Sequence, residues 1–410
     1  MRILILTQYF PPETGAPQNR LHELAIRLKK KGADVTVLTA MPNYPEMIIH
    51  KEYRGKFYTY EEADGLKIHR SSVFVSKSRS LIFRLINYFS FVCSSFFTGL
   101  FRIKRQDFIL CESPPLFLGI TAWLLKKIKR SKLVFNVSDL WPESAEKLGL
   151  VTNKFLLSTS KRLEEFLYKR SELVTGQTQG ICHNISVRFP HKRIHWFPNG
   201  VDVEYYASES KRLNEIAAWR EKNNFRKEDF ILLYAGIIGY AQGLEVILNA
   251  ADGLRKHYHI KFVLLGTGPE KKRLVEMKEK LKLTNVFFLD NVAKTEMPEI
   301  LYSIDAAIIP LKKLELFKGA VPSKIFEALA MKKPILLGVE GEAKTIFIDK
   351  GKCGLAFTPE DDQMLSEKVA ILAENEMLRR ELGENGFAYV DQYFNRGLIV
   401  DDLWKVIEKL

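Results

Sequence analysis

Residues 319–336 carry the side chains best suited to chemistry. Pro322 and Ser323 form a pair that is typical of a helix start. Lys324 and Glu327 follow, three positions apart, on one face of that predicted helix. Helix N–H groups, the helix dipole and a lysine attract phosphate, while a carboxylate accepts hydrogen bonds from sugar hydroxyls. The pattern suits a sugar nucleotide, and the alternative is a surface ion pair worth about 0.2–0.5 kcal/mol.

A second candidate set follows the strand that is predicted at residues 132–137. The next residues, SDLWPES, place Asp139 and Glu143 on either side of Trp141. In open parallel sheets, ligands bind beyond the carboxyl ends of the strands. Two carboxylates beside an aromatic ring suit the binding and orienting of a sugar. The alternative is that both carboxylates cap a helix and that Trp141 is structural.

Glycine-containing turns form a third feature. Gly15 lies in the proline-rich loop after the first predicted strand, and Gly236 and Gly266 each follow a predicted strand in the second half. Glycine lets the backbone approach a ligand closely, and a strand–turn–helix transition directs N–H groups at phosphate. The usual dinucleotide fingerprint GxGxxG is missing from the first turn, and each glycine alone could equally mark an ordinary turn. Several such turns in one half favour binding of a nucleotide phosphate.

The overall composition is that of a globular protein with an anionic partner. With 410 residues, 46% of them hydrophobic and 27% charged, the chain is long enough for two domains. The net charge of +13 points to nucleic acid, anionic lipid or a phosphorylated substrate. The four cysteines show neither metal-ligand nor disulfide spacing, and the first residues enter a strand without a signal peptide. We therefore expect a cytoplasmic protein.

Two apolar segments bear on membrane association. Residues 85–101 contain no charge, and residues 116–125 form a second apolar run with a basic end. The first is short for a membrane span and contains several polar residues, so we predict a helix at the membrane surface. The alternative is a pair of core helices with solvated lysines. The basic residues expected to face anionic lipid are Arg84, Arg102, Lys104, Lys126 and Arg130.

Predicted strands alternate with predicted helices along both halves, which indicates an α/β fold with parallel sheets. In the first half a long irregular loop is expected after residue 39, and the strands are expected at 2–7, 34–39, 66–71, 108–112, 132–137, 172–176 and 194–197. In the second half they are expected at 230–235, 261–265, 286–289, 306–310 and from 334.

A turn with the sequence PNGVD, at residues 198–202, predicts the domain boundary. We expect an N-terminal Rossmann-like domain at 1–200 that faces the membrane. A C-terminal Rossmann-like domain at 201–385 is expected to bind a nucleotide sugar. The last helical segment, 386–410, is expected to pack back on the N-terminal domain.

These features together resemble the retaining glycosyltransferases of family 4. The proline-rich first loop, the two glycine turns of the second half, PSKIFEALAMKKPIL and residues 341–343 carry the likeness over nearly the whole chain. DLWPES, AQGLE and the PSK helix are most similar to the branch of colanic-acid and O-antigen transferases that includes N-acetyl-fucosaminyl transferases. The resemblance implies the GT-B fold, in which two Rossmann-like domains face a central cleft, and it implies that the N-terminal domain, 1–200, binds the acceptor.

The chain departs from the family pattern at several polar positions. The family usually has two glutamates in the region of the PSK helix, and only the second, Glu327, is present. It also has an arginine and a lysine in the first turn of the second domain, and a histidine before Asp139. Either Lys324, Lys318 and the helix dipole replace the lost charge, or the chain no longer catalyses. The residues that stand at the departing positions are Gly319, Ile237, Gln242 and Ser138.

The resemblance implies transfer of a sugar, such as an N-acetylated amino or deoxyamino hexose, from a nucleotide diphosphate sugar, expected to be UDP-linked. The acceptor would be a lipid-diphosphate-linked saccharide in O-antigen, capsule or exopolysaccharide synthesis, at the inner face of the cell membrane. No metal and no other cofactor is expected. The catalytic set is Asp139, Glu143 and Lys324. The donor-binding set is Gly15, Gly236, Gly266, Pro322, Ser323, Lys324 and Glu327.

Within these sets, the resemblance implies that Lys324 and the amides of Gly15 and Ser323 hold the diphosphate. Glu327 would bind the ribose, and Asp139 and Glu143 the hydroxyls of the sugar or acceptor. Two alternatives remain: a nucleotide-sugar 2-epimerase on the same fold, and an inactive partner of another transferase. A nucleic-acid binder is the least favoured, because the aromatic residues do not interleave with the basic ones.

Overall fold

A computed structural model of the protein describes residues 1–13, 15–44, 46–78, 80–147, 149, 151–212 and 217–410. The chain forms two compact units. Met1–Asn199 and Gly397–Leu410 make the first unit, and Gly200–Arg396 make the second. Each unit is an α/β structure built on one sheet, as the alternating pattern predicts.

The first unit contains a sheet of eight strands. They are β1 (Arg2–Leu6), β2 (Asp34–Ala40), β3 (Tyr58–Ala63), β4 (Leu66–Ser71), β5 (Phe108–Ser113), β6 (Lys132–Val137), β7 (Leu173–Gly176) and β8 (Ile194–Trp196). The strand order is β3-β4-β2-β1-β5-β6-β7-β8, and every pair except β3 with β4 is parallel. The order therefore reverses between β1 and β5. In sheets of this kind, ligands bind beyond the carboxyl ends of the strands at such a reversal.

Both faces of this sheet are covered. Ile3 and Ile5 of β1 enter one apolar core, and Leu4 and Leu6 enter the other. A parallel sheet that is buried on both faces produces continuous apolar runs, which is why its strands can be predicted from sequence. The helices of this part of the chain are α1 (Ala16–Lys30), α2 (Leu81–Arg102), α3 (Leu118–Lys129), α4 (Glu143–Lys147), α5 (Lys154–Arg170) and α6 (Gln179–Arg188).

The structure corrects the irregular loop that was predicted after residue 39. Part of it is β3, which pairs antiparallel with β4 at the edge of the sheet. All six side chains of β3 are half-buried or exposed, and Glu61 and Glu62 interrupt any apolar pattern. Charged residues are common in edge strands, where they discourage pairing with another chain. The sequence therefore lacks the apolar signal of a strand at this place.

The second unit contains a six-stranded, wholly parallel sheet. Its strands are β9 (Phe230–Ala235), β10 (Ile260–Leu265), β11 (Val286–Leu289), β12 (Ala306–Pro310), β13 (Ile335–Gly338) and β14 (Gly354–Ala356), in the order β11-β10-β9-β12-β13-β14. This is the doubly wound order of a Rossmann fold. Its helices are α7 (Val203–Arg212), α8 (Ala217–Lys222), α9 (Glu245–Gly253), α10 (Lys271–Leu281), α11 (Met297–Ser303), α12 (Lys324–Ala330), α13 (Asp362–Glu374) and α14 (Glu376–Phe394).

The end of the second unit differs from the predicted residue 385. Helix α14 stays with the second unit because the Phe394 ring packs 5.2 Å from that of Phe326 and 5.3 Å from that of Phe347, between ring centroids. The segment that returns to the first unit begins at Gly397 instead of residue 386. It forms most of α15 (Arg396–Glu408), which contributes to the first unit's core the side chains of Ile399, Val400, Leu403 and Ile407.

Helix α2 contains the apolar segment predicted at 85–101 and has two different sides. On one side Ser95 lies within hydrogen-bond distance of Thr121 of α3, and Gly99 lies against Leu125. Among the described residues it is the one helix that is long and apolar enough to cross a membrane, by length and composition alone. On its other side the exposed large apolar residues are Ile82, Phe83, Ile86, Phe89, Phe97 and Phe101.

The second predicted apolar run, 116–125, is a core segment. It lies largely in α3, where Leu118, Ala122 and Leu125 are fully buried against the sheet. The Lys126 ammonium at its end is bound to the Glu172 carboxylate at 2.6 Å. The prediction that this run contributes to a membrane face is therefore wrong, because the sheet already covers its apolar side.

Candidate functional site

The switch point of the second unit lies between β9 and β12, where the strand order changes direction. Because all six strands are parallel, the turn after β9 and the loop after β12 both leave the sheet at the carboxyl ends of the strands. Ligands of doubly wound sheets bind at this point. The turn after β9 runs from Gly236 to Gly243, and the loop after β12 leads to the start of α12 at Lys324.

The glycine turns of the second unit pack directly on each other. Gly236 and Gly266 both have positive φ, of 140° and 149°. A Cβ atom added to Gly266 would lie 1.9 Å from the Gly236 carbonyl oxygen. The N–H of Ile238 also donates to the Thr267 carbonyl at 2.9 Å. Gly266 is therefore required for the close approach of the two turns, a role that the ligand-based prediction did not include.

Lys324 brings α12 into contact with this pair of turns. Its ammonium lies 4.0 Å from the centroid of the Tyr234 ring and 3.0 Å from the point that a Cβ of Gly236 would occupy. Desolvation lowers the pKa of Lys324 to about 7, although the Glu327 carboxylate favours the charged form. An ammonium in such a position gains strongly from an anion that replaces its lost hydration.

Tyr234 supports this arrangement from inside the sheet, and sequence reasoning missed it. Its hydroxyl donates to the Ile237 carbonyl at 2.5 Å, while its ring lies beneath the Lys324 ammonium. Burial raises the pKa of Tyr234, so the hydroxyl remains a donor. The residue stands in a strand that is otherwise apolar, so the sequence carries no signal for this role.

The apolar residues at the start of α12 are buried as predicted, but the predicted helix cap is not formed. Ile325 and Phe326 are buried, as the helical spacing predicts. Ser323 occupies the N-cap position, but it has helical φ and ψ and its side chain makes no capping hydrogen bond. Pro322 precedes it and is half-buried, and Glu327 is half-buried in the first turn. The structure thus brings together Gly236, Gly266, Lys324 and Glu327 in one region of the second unit.

Asp139 and Glu143 lie beyond the carboxyl end of β6, in the first unit. Asp139 is exposed, yet the protein around its carboxyl raises the pKa by desolvation, against the effect of the Ser144 hydroxyl that donates to it at 2.8 Å. Glu143 lies in the first turn of α4 and pairs with Lys147 at 2.7 Å. Trp141 packs edge-on against Phe117, with ring centroids 5.3 Å apart. Both carboxylates thus have local partners, and Trp141 contributes to the core.

A buried cluster of charged and polar side chains near the same strand ends was not predicted. The Arg20 guanidinium binds the Glu112 carboxylate, and both side chains are 4% exposed. Arg20 also donates to the Ser138 hydroxyl at 2.9 Å, and Asn136 donates to Glu112 at 2.6 Å. The signal that could have identified it is Glu112 itself, a carboxylate within the buried strand FILCES. The cluster holds Ser138, the residue before Asp139.

Gly15 lies at the start of α1 in the first unit, and its carbonyl accepts the Asn19 N–H at 3.0 Å. In the same loop the buried Glu13 carboxylate accepts the N–H groups of Asn43 and Tyr44, at 2.7 and 2.8 Å. Glu13 thereby ties the first loop to the loop after β2. Gly15 belongs to the first unit and Lys324 to the second, so their predicted shared role stays a prediction.

Among the residues that the structure describes, no group of three or more His, Cys, Asp or Glu side chains is arranged to hold a metal ion. In the lysine-rich loop after β12, Lys318 pairs with Glu315 at 2.6 Å.

Two protein-family models match the chain. Residues 18–205 match Glycosyltransferase Family 4, and residues 215–389 match Glycosyl transferases group 1. A curated relative from Escherichia coli (strain K12), named as the colanic acid biosynthesis glycosyl transferase WcaI, is 26% identical over 336 residues, which is 81% of each chain.

Solved structures of similar fold cover the whole chain. Sucrose-phosphate synthase from Thermosynechococcus elongatus has a TM-score of 0.76 at 15% identity and covers 100% of this chain and 98% of its own. HepE from Anabaena, solved in complex with UDP and glucose, has a TM-score of 0.71 at 17% identity and covers 100% of both chains. These similarities establish the two-domain architecture.

Proposed function

Because this chain is a family 4 glycosyltransferase of the GT-B fold, we propose that it transfers a sugar from a UDP-linked donor to a lipid-linked saccharide during bacterial surface polysaccharide synthesis. The name of the Escherichia coli relative supports the pathway, and the UDP complex of HepE supports the nucleotide. The observation that carries the proposal is the partly desolvated Lys324 ammonium beside the glycine turn at the switch point.

We assign the donor to the second unit. Lys324 binds the diphosphate, together with the amide of Ser323 and the backbone of the turns that contain Gly236 and Gly266. Glu327 accepts hydrogen bonds from the ribose hydroxyls. The half-buried position of Glu327, one turn beyond Lys324, supports this division of roles.

We assign the acceptor to the first unit, near Asp139 and Glu143. The carboxylate of Asp139 is exposed at the carboxyl end of β6, where it can accept hydrogen bonds from sugar hydroxyls. The Arg20–Glu112 pair acts through Ser138 to hold the segment that carries Asp139.

The proposed reaction retains the anomeric configuration. The bond between the anomeric carbon and the diphosphate oxygen breaks, and a bond from that carbon to the acceptor oxygen forms on the same face. The acceptor hydroxyl gives its proton to the departing diphosphate, so that UDP and the extended saccharide are the products. The protein positions both substrates, and Lys324 stabilises the charge that develops on the leaving group.

Calorimetric titration with UDP, GDP and dTDP tests the donor site. We expect selective binding of UDP, and we expect Glu327→Ala to weaken it about tenfold, since the ribose loses a charged hydrogen-bond acceptor. Glu276→Ala is the matched control, because this carboxylate is exposed on α10 in the same unit. Failure of all three nucleotides to bind would overturn the proposal.

Activity assays separate the proposed function from the two alternatives. An epimerase would convert a UDP-sugar in the absence of any acceptor, whereas the matched families and the Escherichia coli relative are transferases. An inactive partner would bind UDP but transfer no labelled sugar to any lipid-linked saccharide in a screen of acceptors. Transfer of label to a lipid extract, dependent on Lys324, would support the transferase over both.

We further propose that the exposed side of α2 lies on an anionic membrane surface. Six large apolar side chains are exposed there, and the Phe97 and Phe101 rings stack with centroids 6.4 Å apart. Lys104 and Arg105 follow the helix and are exposed. An apolar helix side flanked by cations is typical of proteins that bind membranes in the plane of the interface.

Replacing Phe97 and Phe101 with serine should weaken binding to vesicles of phosphatidylcholine and phosphatidylserine about tenfold, because two inserted rings are lost. These positions are preferable to Phe96, which packs against the first unit's core. Phe57→Ser with Phe155→Ser is the matched control, since both rings are exposed elsewhere on the same unit, at 84% and 82%. Equal sedimentation of both double variants with the vesicles would contradict the proposal.

A further inference from the structure

Lys312 lies at the opposite end of the β9 turn from Lys324. Its ammonium is 3.3 Å from the centroid of the Tyr240 ring, and its Cγ atom is 3.1 Å from the point that a Cβ of Gly243 would occupy. Lys324 touches the same turn at Gly236. The turn itself, GIIGYAQG, contains no basic residue. Both cations beside it therefore come from the chain that follows β12.

The loop that carries Lys312 is held firmly by its backbone. The N–H of Leu311 donates to the Gly338 carbonyl at 3.0 Å, and the N–H of Lys312 donates to the Ala241 carbonyl at 2.9 Å. The N–H of the next residue, Lys313, donates to the Glu360 carboxylate at 2.9 Å. These bonds fix the start of the Lys312 side chain against the β9 turn.

The Lys312 ammonium has no carboxylate within 4.0 Å in the described part of the chain, in contrast to Lys318 and Lys271, which are paired. It rests instead on the face of Tyr240, a neutral and largely exposed ring. A cation–π contact at an exposed site is weak. Such a cation can be recruited by an anion at small cost.

We propose that Lys312 is a second diphosphate-binding lysine, which together with Lys324 flanks the turn after β9. The inference rests on the proposed donor site and extends it. A nucleoside diphosphate carries more than one negative charge, and Lys324 alone supplies at most one positive charge in a desolvated position. Lys312 supplies the second charge from the other end of a turn whose glycines let the diphosphate come close to the backbone.

The test compares UDP with uridine on three proteins: the unaltered chain, Lys312→Ala and Lys313→Ala. We expect Lys312→Ala to weaken UDP binding about tenfold, the loss of one charge-assisted contact, and to leave uridine binding unchanged. Lys313→Ala removes the adjacent, exposed lysine and should change UDP binding less than about twofold. Lys312→Arg should restore most of the affinity. UDP is followed by calorimetry and uridine by ligand-observed NMR.

The outcomes separate the inference from the proposed function. If the unaltered chain binds UDP and Lys312→Ala binds it equally well, Lys312 is not a diphosphate ligand. If Lys312→Ala weakens UDP and uridine by the same factor, its role is to shape the turn and the inference fails. If the unaltered chain binds no UDP, the donor site itself fails, and the inference fails with it.

Discussion

Replacing Lys324 with methionine should weaken UDP binding about 100-fold, because a buried charge pair with the diphosphate is lost while the apolar stem is kept. The stem can still pack on Tyr234, so the folded structure should remain. Lys333→Met is the matched control: it is another half-buried lysine, with a pKa lowered by desolvation to about 8, and it donates to the Tyr302 carbonyl. UDP affinities of the two variants and the unaltered chain can be compared by calorimetry.

The same lysine should link UDP binding to proton uptake. In the free protein the pKa of Lys324 is about 7, so the amine is mostly neutral at pH 8. A bound diphosphate favours the ammonium and raises that pKa, so binding at pH 8 takes up a proton. UDP affinity should therefore fall as the pH rises above 7. The terminal phosphate, with a pKa of about 6, is already ionised there and contributes little.

Titrations at pH 8 in two buffers of different ionisation enthalpy measure this proton directly. The unaltered chain should take up close to one proton per UDP, and Lys324→Met should take up far less. Lys333→Met should behave as the unaltered chain does. Binding by Lys324→Met with unchanged affinity, or the absence of proton uptake by the unaltered chain, would remove Lys324 from the donor site.

Replacing Arg20 with methionine should lower the free energy of unfolding of the first unit by about 3–5 kcal/mol, because it leaves the buried Glu112 carboxylate without its cation. Both side chains are 4% exposed, so water cannot take over the role of the guanidinium. The hydrogen bonds that remain for Glu112, from Asn136 and Ser138, are from neutral donors. They compensate only part of the loss.

Urea unfolding followed by tryptophan fluorescence measures this change, since four of the five tryptophans lie in the first unit. Adding Glu112→Leu to Arg20→Met should recover part of the stability, because it removes the unpaired charge. Lys67→Met breaks an exposed pair with Asp34 on the same unit and should cost less than about 1 kcal/mol. A loss of that same size for Arg20→Met would show that the buried pair contributes little to folding.

The fold class could be predicted because it depends on patterns of apolar residues that are close together in the sequence. Apolar runs of strand length, alternating with helical spacing, identify most strands of both sheets, and five of them have the same bounds in the structure: 66–71, 132–137, 230–235, 286–289 and 306–310. Edge strand β3 was missed because its polar sequence resembles a loop. The end of the second unit was misplaced because the burial of Phe394 depends on rings from distant parts of the chain.

The sequence by itself determined the two α/β halves, the turn between them and the helix that begins with Lys324, since each of these is encoded in neighbouring residues. Only the tertiary structure decided which side chains meet at the strand ends. Arg20 and Glu112 lie 92 positions apart, and Lys312 contacts Tyr240 because these residues follow two neighbouring parallel strands. The spacing of apolar residues shows which face of a helix or strand is buried. It does not show which element packs against that face, because parallel strands join segments that are far apart in the chain.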